Sequence, residues 1–186
     1  MGINLGLYAA YAVAGFLLAS GLLLKLPQPI LNFIDFFYAS GFPAGLLGGL
    51  LLVLRVGIGV LFVLHGKPKI MNLQQWSKAL NMSVFLCFLS ALSMFLGGFF
   101  LIAGLLTPFA ALAILGSMVF AMFLEMSKGS PFVAPDPFQI PEDQYVGPNG
   151  QGDPPSYEKA FIYVLILSAI AILGPGAFSL DALLFQ

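Results

Sequence analysis

Five apolar stretches, each close to the length that a helix needs to cross a bilayer, constrain this chain more than any other feature. They cover residues 5–24, 46–64, 84–106, 109–124 and 157–173. Only 8% of the residues are charged, against roughly 25% in a soluble domain, so a polar shell is missing. A bilayer is the solvent that accepts such a surface. The sequence predicts an all-α, polytopic membrane protein: an antiparallel four-helix transmembrane bundle with one additional N-terminal transmembrane helix.

The first stretch, 5–24, resembles a signal peptide in its position but not in its charge. No Lys or Arg precedes Lys25, so the basic region of a signal peptide is missing. We therefore expect a retained helix. Residues 25–43 mix apolar side chains with Asp35, which favours a short amphipathic helix at the membrane interface.

The chain divides into two parts. Residues 1–45 hold the N-terminal transmembrane helix and the interfacial linker, and residues 46–186 hold the four-helix membrane bundle. A Pro-rich loop at 128–156 lies within the second part and should contain little regular structure, because proline interrupts helices. The predicted helices are 5–24, 46–65, 83–106, 108–127 and 157–174.

The distribution of lysines predicts the orientation. Cytoplasmic loops carry an excess of Lys and Arg, and five lysines fall on one predicted side, with Lys25 alone on the other. This places the N-terminus in the cytoplasm and the C-terminus opposite. We expect a multi-pass protein of the cell membrane (plasma or inner membrane) or of an internal energy-transducing membrane. The five lysines are Lys67, Lys69, Lys78, Lys128 and Lys159.

Arg55 lies inside the second apolar stretch, where a charge is costly, so it must face the bundle interior and find partners there. It is either a structural pin, bonded to carbonyls, hydroxyls or a carboxylate, or a handle for a ligand carbonyl or anion. Asp181, which follows a Gly-Pro-Gly turn, is the favoured partner. The second choice is a ring of hydroxyls from Ser93, Ser117 and Ser168.

Several polar residues gather at the opposite membrane level in the predicted topology. A mixed cluster with one histidine could shuttle protons at a quinone head group, or the residues could form interfacial ion pairs of little energetic value. Since the chain has one His, a metal site with several histidines is excluded, and His65 remains either a helix-end residue or a single pigment ligand. The residues are His65, Lys67, Lys69, Glu125, Tyr157 and Glu158.

Two residues that occur once each are expected to be structural. Trp76 fits an interfacial anchor, and Cys87 lies in an apolar run without a neighbouring cation to activate its thiol. The net charge of −1 argues against a nucleic-acid partner, which would need a basic face. Membrane lipids are the expected surroundings.

Three motifs together resemble those of the DoxX family: LRVGIGVLFVLHGKPKIM, GGFFLIAGLLTPFAALAIL and YEKAFIYVLILSAIAILGPGAFSLDALL. The resemblance covers about residues 46–184 and implies a four-helix membrane bundle. Some relatives are subunits of quinone-reducing complexes, such as a thiosulfate:quinone oxidoreductase, and others are accessories of membrane redox assemblies. By position, the resemblance implies functional roles for Arg55, His65, Lys69, Glu158 and Asp181.

The chain departs from the family pattern at two places. Ser93-Met94 stand where the family often has a Glu, and Thr107-Pro108 stand where it often has Thr-Arg. Both changes remove a charge. The resemblance implies an accessory or quinone-interacting subunit of a membrane electron-transfer complex, with other redox subunits as partners and no redox centre of its own. The alternatives are a stand-alone protein that binds or moves a small lipophilic molecule, and a structural subunit that holds lipid or pigment.

Overall fold

A computed structural model describes residues 27–29, 32, 36, 38–136 and 155–185. Within the continuous parts, 38–136 and 155–185, the regular structure is helical throughout. The predicted helix at 5–24, Asp35 and the loop from 137 to 154 lie outside the described residues, whereas residues 28, 29, 32 and 36 of the predicted amphipathic segment are helical. The helices are α1 (Gly45–Met71), α2 (Leu73–Leu80), α3 (Val84–Ala103), α4 (Thr107–Ser127), α5 (Glu158–Leu173) and α6 (Leu180–Phe185).

The all-α prediction is confirmed for the described residues, and three of their helices, α1, α3 and α4, are long and apolar enough to cross a membrane. Helix α5 has 16 residues, about 24 Å at 1.5 Å per residue. That is shorter than the roughly 30 Å of a hydrocarbon core. The complete transmembrane bundle with its N-terminal helix therefore stays a prediction.

Helix α1 continues beyond His65, where the sequence predicted a polar loop at 66–82. It runs to Met71 with Pro68 inside it, and α2 follows after Asn72. The loop prediction was wrong because a proline in a helix removes one amide donor but does not always end the helix. As a consequence Lys69 is a helical residue with a fixed direction.

Helices α1 and α3 cross at a glycine contact. A Cβ atom built on Gly59 would lie 2.6 Å from the carbonyl oxygen of Gly98, and one on Gly98 would lie 2.7 Å from that of Gly59. Small residues allow such close backbone approach in membrane helices. Helix α3 also packs on α4, and α4 on α5.

One apolar core joins α1, α3, α4 and α5. Contact between α1 and α5 is made by large side chains, with the rings of Phe62 and Tyr163 centred 5.0 Å apart at an edge-to-face angle of 60°. Such aromatic pairs add to the energy of burial alone. The core therefore fixes the positions of the polar side chains at both ends of the four helices.

The connection between α3 and α4 is short, as the Thr-Pro pair predicted. Gly104 (φ +67) and Leu106 (φ +48) both adopt the left-handed conformation, and Pro108 lies in the first turn of α4, a position that proline favours. This turn, the start of α1 and the end of α5 form one end of the helices, which we call the Arg55 end. The opposite end, where α1 and α4 finish and α5 begins, is the Lys69 end.

Candidate functional site

Arg55 is fully buried near the Arg55 end, with 0% of its surface exposed. Its Nη1 donates a hydrogen bond to the Leu101 carbonyl at 3.1 Å. Its Nη2 donates to the Phe178 carbonyl at 2.5 Å. The prediction that Arg55 faces the interior is confirmed, and its partners are main-chain carbonyls from α3 and from the segment that follows α5.

Gly104 makes room for this guanidinium. A Cβ atom at this position would overlap Nη1 of Arg55 and would lie 2.6 Å from Cβ of Ser179. The same residue has a φ of +67, which side chains other than glycine adopt at a cost. The turn between α3 and α4 is therefore built around the arginine.

Asp181 lies beside this site but does not form an ion pair with Arg55: in the described structure no carboxylate oxygen comes within 4.0 Å of the guanidinium. The prediction of a direct pair was wrong. Instead, Oδ1 and Oδ2 of Asp181 accept hydrogen bonds from the backbone N–H groups of Leu106 at 2.6 Å and Thr107 at 2.8 Å. The carboxylate thus satisfies donors that the start of α4 leaves open.

Asp181 is fully buried, at 0% exposure. Burial raises the pKa of the Asp181 carboxyl, while hydrogen bonds from the backbone amides of Thr107 and Leu106 oppose that shift. Burial also raises the pKa of the Tyr38 phenol, and the charge of Asp181 acts in the same direction. The hydroxyls of Tyr38 and Thr107 lie near the carboxylate, yet neither meets the geometry of a hydrogen bond.

The predicted ring of serine hydroxyls does not surround Arg55 either. Ser93 and Ser117 form a hydrogen bond with each other at 2.8 Å across α3 and α4. Ser93 also donates to the Ser90 carbonyl at 2.8 Å. Ser168 is not among the hydrogen-bond partners of Arg55. The second-choice prediction was therefore wrong as well.

Apart from Lys67, which is exposed, the polar residues predicted to gather at the Lys69 end separate into four groups. Glu125 forms an ion pair with Lys128 at 2.9 Å and accepts a hydrogen bond from Ser130. Tyr157 packs its ring on Phe132, at 5.1 Å between centroids, next to Glu158, which begins α5.

His65 and Lys69 form the other two groups. His65 is exposed on α1 and interacts electrostatically with Lys69 and Lys159. Lys69 points away from it, towards α2 and α3. A single mixed-charge cluster is thus not formed by the described residues, and Lys69 lines a cavity.

This Lys69 cavity has a volume of about 450 Å³ and lies between α3 and α4, with α2 beside it. Its walls are largely apolar. The residues that line it are Lys69, Trp76, Leu80, Met82, Leu86, Cys87, Leu89, Ser90, Ser93, Met94, Ala113, Gly116, Ser117, Phe120, Ala121 and Leu124.

The polar groups of the Lys69 cavity are few. The ammonium of Lys69 lies 3.3 Å from Sδ of Met94 and 4.8 Å from the centre of the Trp76 ring. The hydroxyl pair of Ser93 and Ser117 belongs to the same wall. A cation and two hydroxyls in an apolar cavity can orient the head group of a lipophilic molecule.

Two residues interpreted as structural from the sequence belong to this cavity. Trp76 was expected to be an interfacial anchor and Cys87 an inert core residue; Cys87 is indeed buried, at 2% exposure, but both line the cavity. No spacing in the sequence indicated Trp76, because Lys69 and Trp76 lie on different helices, α1 and α2.

Comparison with protein families identifies the central part of the chain, since residues 50–125 match the family model described as DoxX. The match makes residues 50–125 a DoxX domain. The matched range of the DoxX domain contains Arg55 and every residue of the Lys69 cavity, whereas Asp181 and α5 lie beyond it. No curated protein matches the chain, and no solved structure does.

Proposed function

We propose that this protein binds a small lipophilic molecule of the membrane in the Lys69 cavity. The observation that carries the proposal is the cavity itself, about 450 Å³ in volume with a lysine in its wall. Small-molecule sites are mostly apolar clefts of roughly 300–1,000 Å³ with a few polar groups that fix orientation. The Lys69 cavity has both properties.

The position of the cavity suggests the route of entry. Leu86, Leu89 and Phe120 line it and are also exposed by 51%, 53% and 49% on the outside of the helices. Since α3 and α4 are apolar enough to cross a membrane, lipid surrounds this opening when the protein is inserted. A lipophilic ligand would therefore enter sideways between α3 and α4.

A quinone is one candidate ligand, because the resemblance to quinone-reducing relatives implies one. Its ring carbonyls accept hydrogen bonds, and the ammonium of Lys69 is a suitable donor. A role as an accessory subunit of a membrane electron-transfer complex would add partner subunits that supply the electrons. The quinone ligand and the role as an accessory subunit belong to the proposal, as does the orientation with a cytoplasmic N-terminus.

Binding can be measured directly because the chain has one tryptophan and one cysteine and both line the cavity. The protein, reconstituted in neutral lipid, would be titrated with a short-tailed quinone and with a single-chain fatty acid. We expect saturable quenching or shift of Trp76 fluorescence and slower maleimide labelling of Cys87 with at least one of these ligands.

A matched pair of glycine variants assigns the signal to the cavity. Gly116 lines the cavity, and a Cβ atom added to it would meet nothing within 4 Å, so Gly116→Leu should fill the space and abolish saturable binding. Gly57 on α1 is equally open but lies elsewhere, so Gly57→Leu should bind as the parent does. Equal binding by the parent and Gly116→Leu would show that the ligand occupies another place.

A further inference from the structure

Lys69 differs from Arg55 and Lys128 in the atoms that its charge contacts. Arg55 donates to two carbonyl oxygens, and Lys128 is paired with Glu125. The ammonium of Lys69 instead meets a thioether and an indole ring. Sulfur is a weak acceptor, and neither group carries a negative charge.

No carboxylate compensates this charge within the described part of the chain, where no acidic oxygen lies within 4.0 Å of the ammonium. Lys69 belongs to a helix that is apolar enough to cross a membrane. Ionisable residues at such positions pair with one another or with backbone carbonyls, or mark the path of a substrate or ion. Lys69 lies in the last turn of α1, and among the described residues its contacts include neither a carboxylate nor a backbone carbonyl, which favours a role in binding a ligand.

We propose that the ligand of the Lys69 cavity is a lipophilic anion: a hydrocarbon chain with a singly charged acidic head that pairs with Lys69. The inference rests on the proposed function and narrows it from lipophiles in general to acidic ones. The head would lie beside the ammonium of Lys69. The chain would extend past Leu86 and Leu89 towards the opening.

The electrostatics favour an anion over a neutral molecule of the same shape. Attraction between opposite charges grows as the effective dielectric constant falls, and the walls of the cavity are mainly hydrocarbon. A charge-assisted hydrogen bond is also stronger than one to a neutral acceptor. A quinone would gain only a hydrogen bond to a neutral acceptor. An acid would gain a hydrogen bond and, in addition, the attraction between its negative charge and the ammonium of Lys69.

The test compares dodecanoate with dodecanol, which have the same chain length and differ in the charge of the head. Trp76 fluorescence and Cys87 labelling are the readouts, in nanodiscs of phosphatidylcholine at a pH that ionises the acid. The parent protein should bind dodecanoate about tenfold more tightly than dodecanol, or better, the range expected for a hydrogen bond to a charged group.

Charge variants then assign this preference to one side chain. Lys69→Met should remove most of the preference for dodecanoate, with a much smaller effect on dodecanol binding, and Lys69→Arg should keep the preference. Lys67→Met is the matched control, because Lys67 is exposed on the same helix two residues away. If Lys69→Met fails to fold, the affinities of the parent protein for dodecanoate and dodecanol still decide whether the cavity prefers an anion.

The outcomes separate the two proposals. Equal affinity for acid and alcohol, both abolished by Gly116→Leu, would overturn the anionic assignment and leave the cavity as a binding site. An absence of saturable binding for quinone, acid and alcohol alike would overturn the proposed function itself. If the parent protein prefers dodecanoate, adding phosphatidylglycerol to the nanodiscs identifies the source of the anion. Competition with dodecanoate would assign the ligand to a bilayer lipid, and no competition would assign it to a free acid.

Discussion

Arg55 and Lys69 illustrate two ways in which one membrane helix, α1, accommodates charge. Arg55 is enclosed at 0% exposure and bonded to the Leu101 and Phe178 carbonyls. Lys69 sits beside a cavity of about 450 Å³ and contacts Met94 and Trp76. Fourteen residues separate them, about 21 Å along the helix.

The difference lies in what remains for a ligand to do. At the Arg55 end, backbone carbonyls take the hydrogen bonds of both terminal guanidinium nitrogens, Asp181 caps α4, and Gly104 leaves no space for an added atom. At the Lys69 end, the charge lacks an anion among the described residues and there is empty volume next to it. We infer that Arg55 stabilises the fold and that Lys69 serves binding.

The largest effect should follow from removing the arginine. Arg55→Met leaves one buried and one partly buried carbonyl without their donors, at a cost of about 1–3 kcal/mol for a buried group, so we expect the free energy of unfolding to fall by about 3 kcal/mol. Equilibrium unfolding in mixed detergent micelles would measure the loss. Arg55→Lys should recover part of it, because it keeps a donor. Parent-like stability of Arg55→Met would contradict a structural role and break the comparison.

A smaller loss should come from the glycine packed against that arginine. Gly104→Ala forces a left-handed alanine into contact with Nη1 of Arg55, and overpacking of this kind costs about 1–3 kcal/mol. The matched variant Gly116→Ala adds the same atom beside the Lys69 cavity, where nothing lies within 4 Å. It should be neutral or stabilising by up to about 1 kcal/mol, the difference in helix propensity. Equal losses in both variants would show that the two ends are packed alike.

Much of the fold could be predicted from apolar run lengths. The limits of α3, α4 and α5 lie within three residues of the predicted ones, because glycine, Thr-Pro and Gly-Pro-Gly mark where these helices stop or start. The end of α1 was missed, because proline is a probable rather than a certain helix boundary. The segment GKPKIM therefore continues the helix that was predicted to finish at His65.

The candidate site was only partly predictable, for reasons of geometry. That Arg55 is buried follows from its position in an apolar run. Its choice of carbonyls over Asp181 depends on distances in a turn that the sequence does not encode in any simple pattern. The importance of Lys69 over His65, Glu125 and Glu158 likewise depends on which of them faces empty volume. A cavity is a property of packing between α3 and α4, and residue type alone does not reveal it.

The central claim, that one cation holds the fold and the other holds a ligand, is tested most directly by measuring stability and binding together for Lys69→Met. We predict that its free energy of unfolding stays within about 0.5 kcal/mol of the parent, as for a substitution outside the packed core. We predict at the same time that most of its preference for dodecanoate over dodecanol disappears. A loss of stability as large as that of Arg55→Met, with the ligand preference intact, would contradict the account.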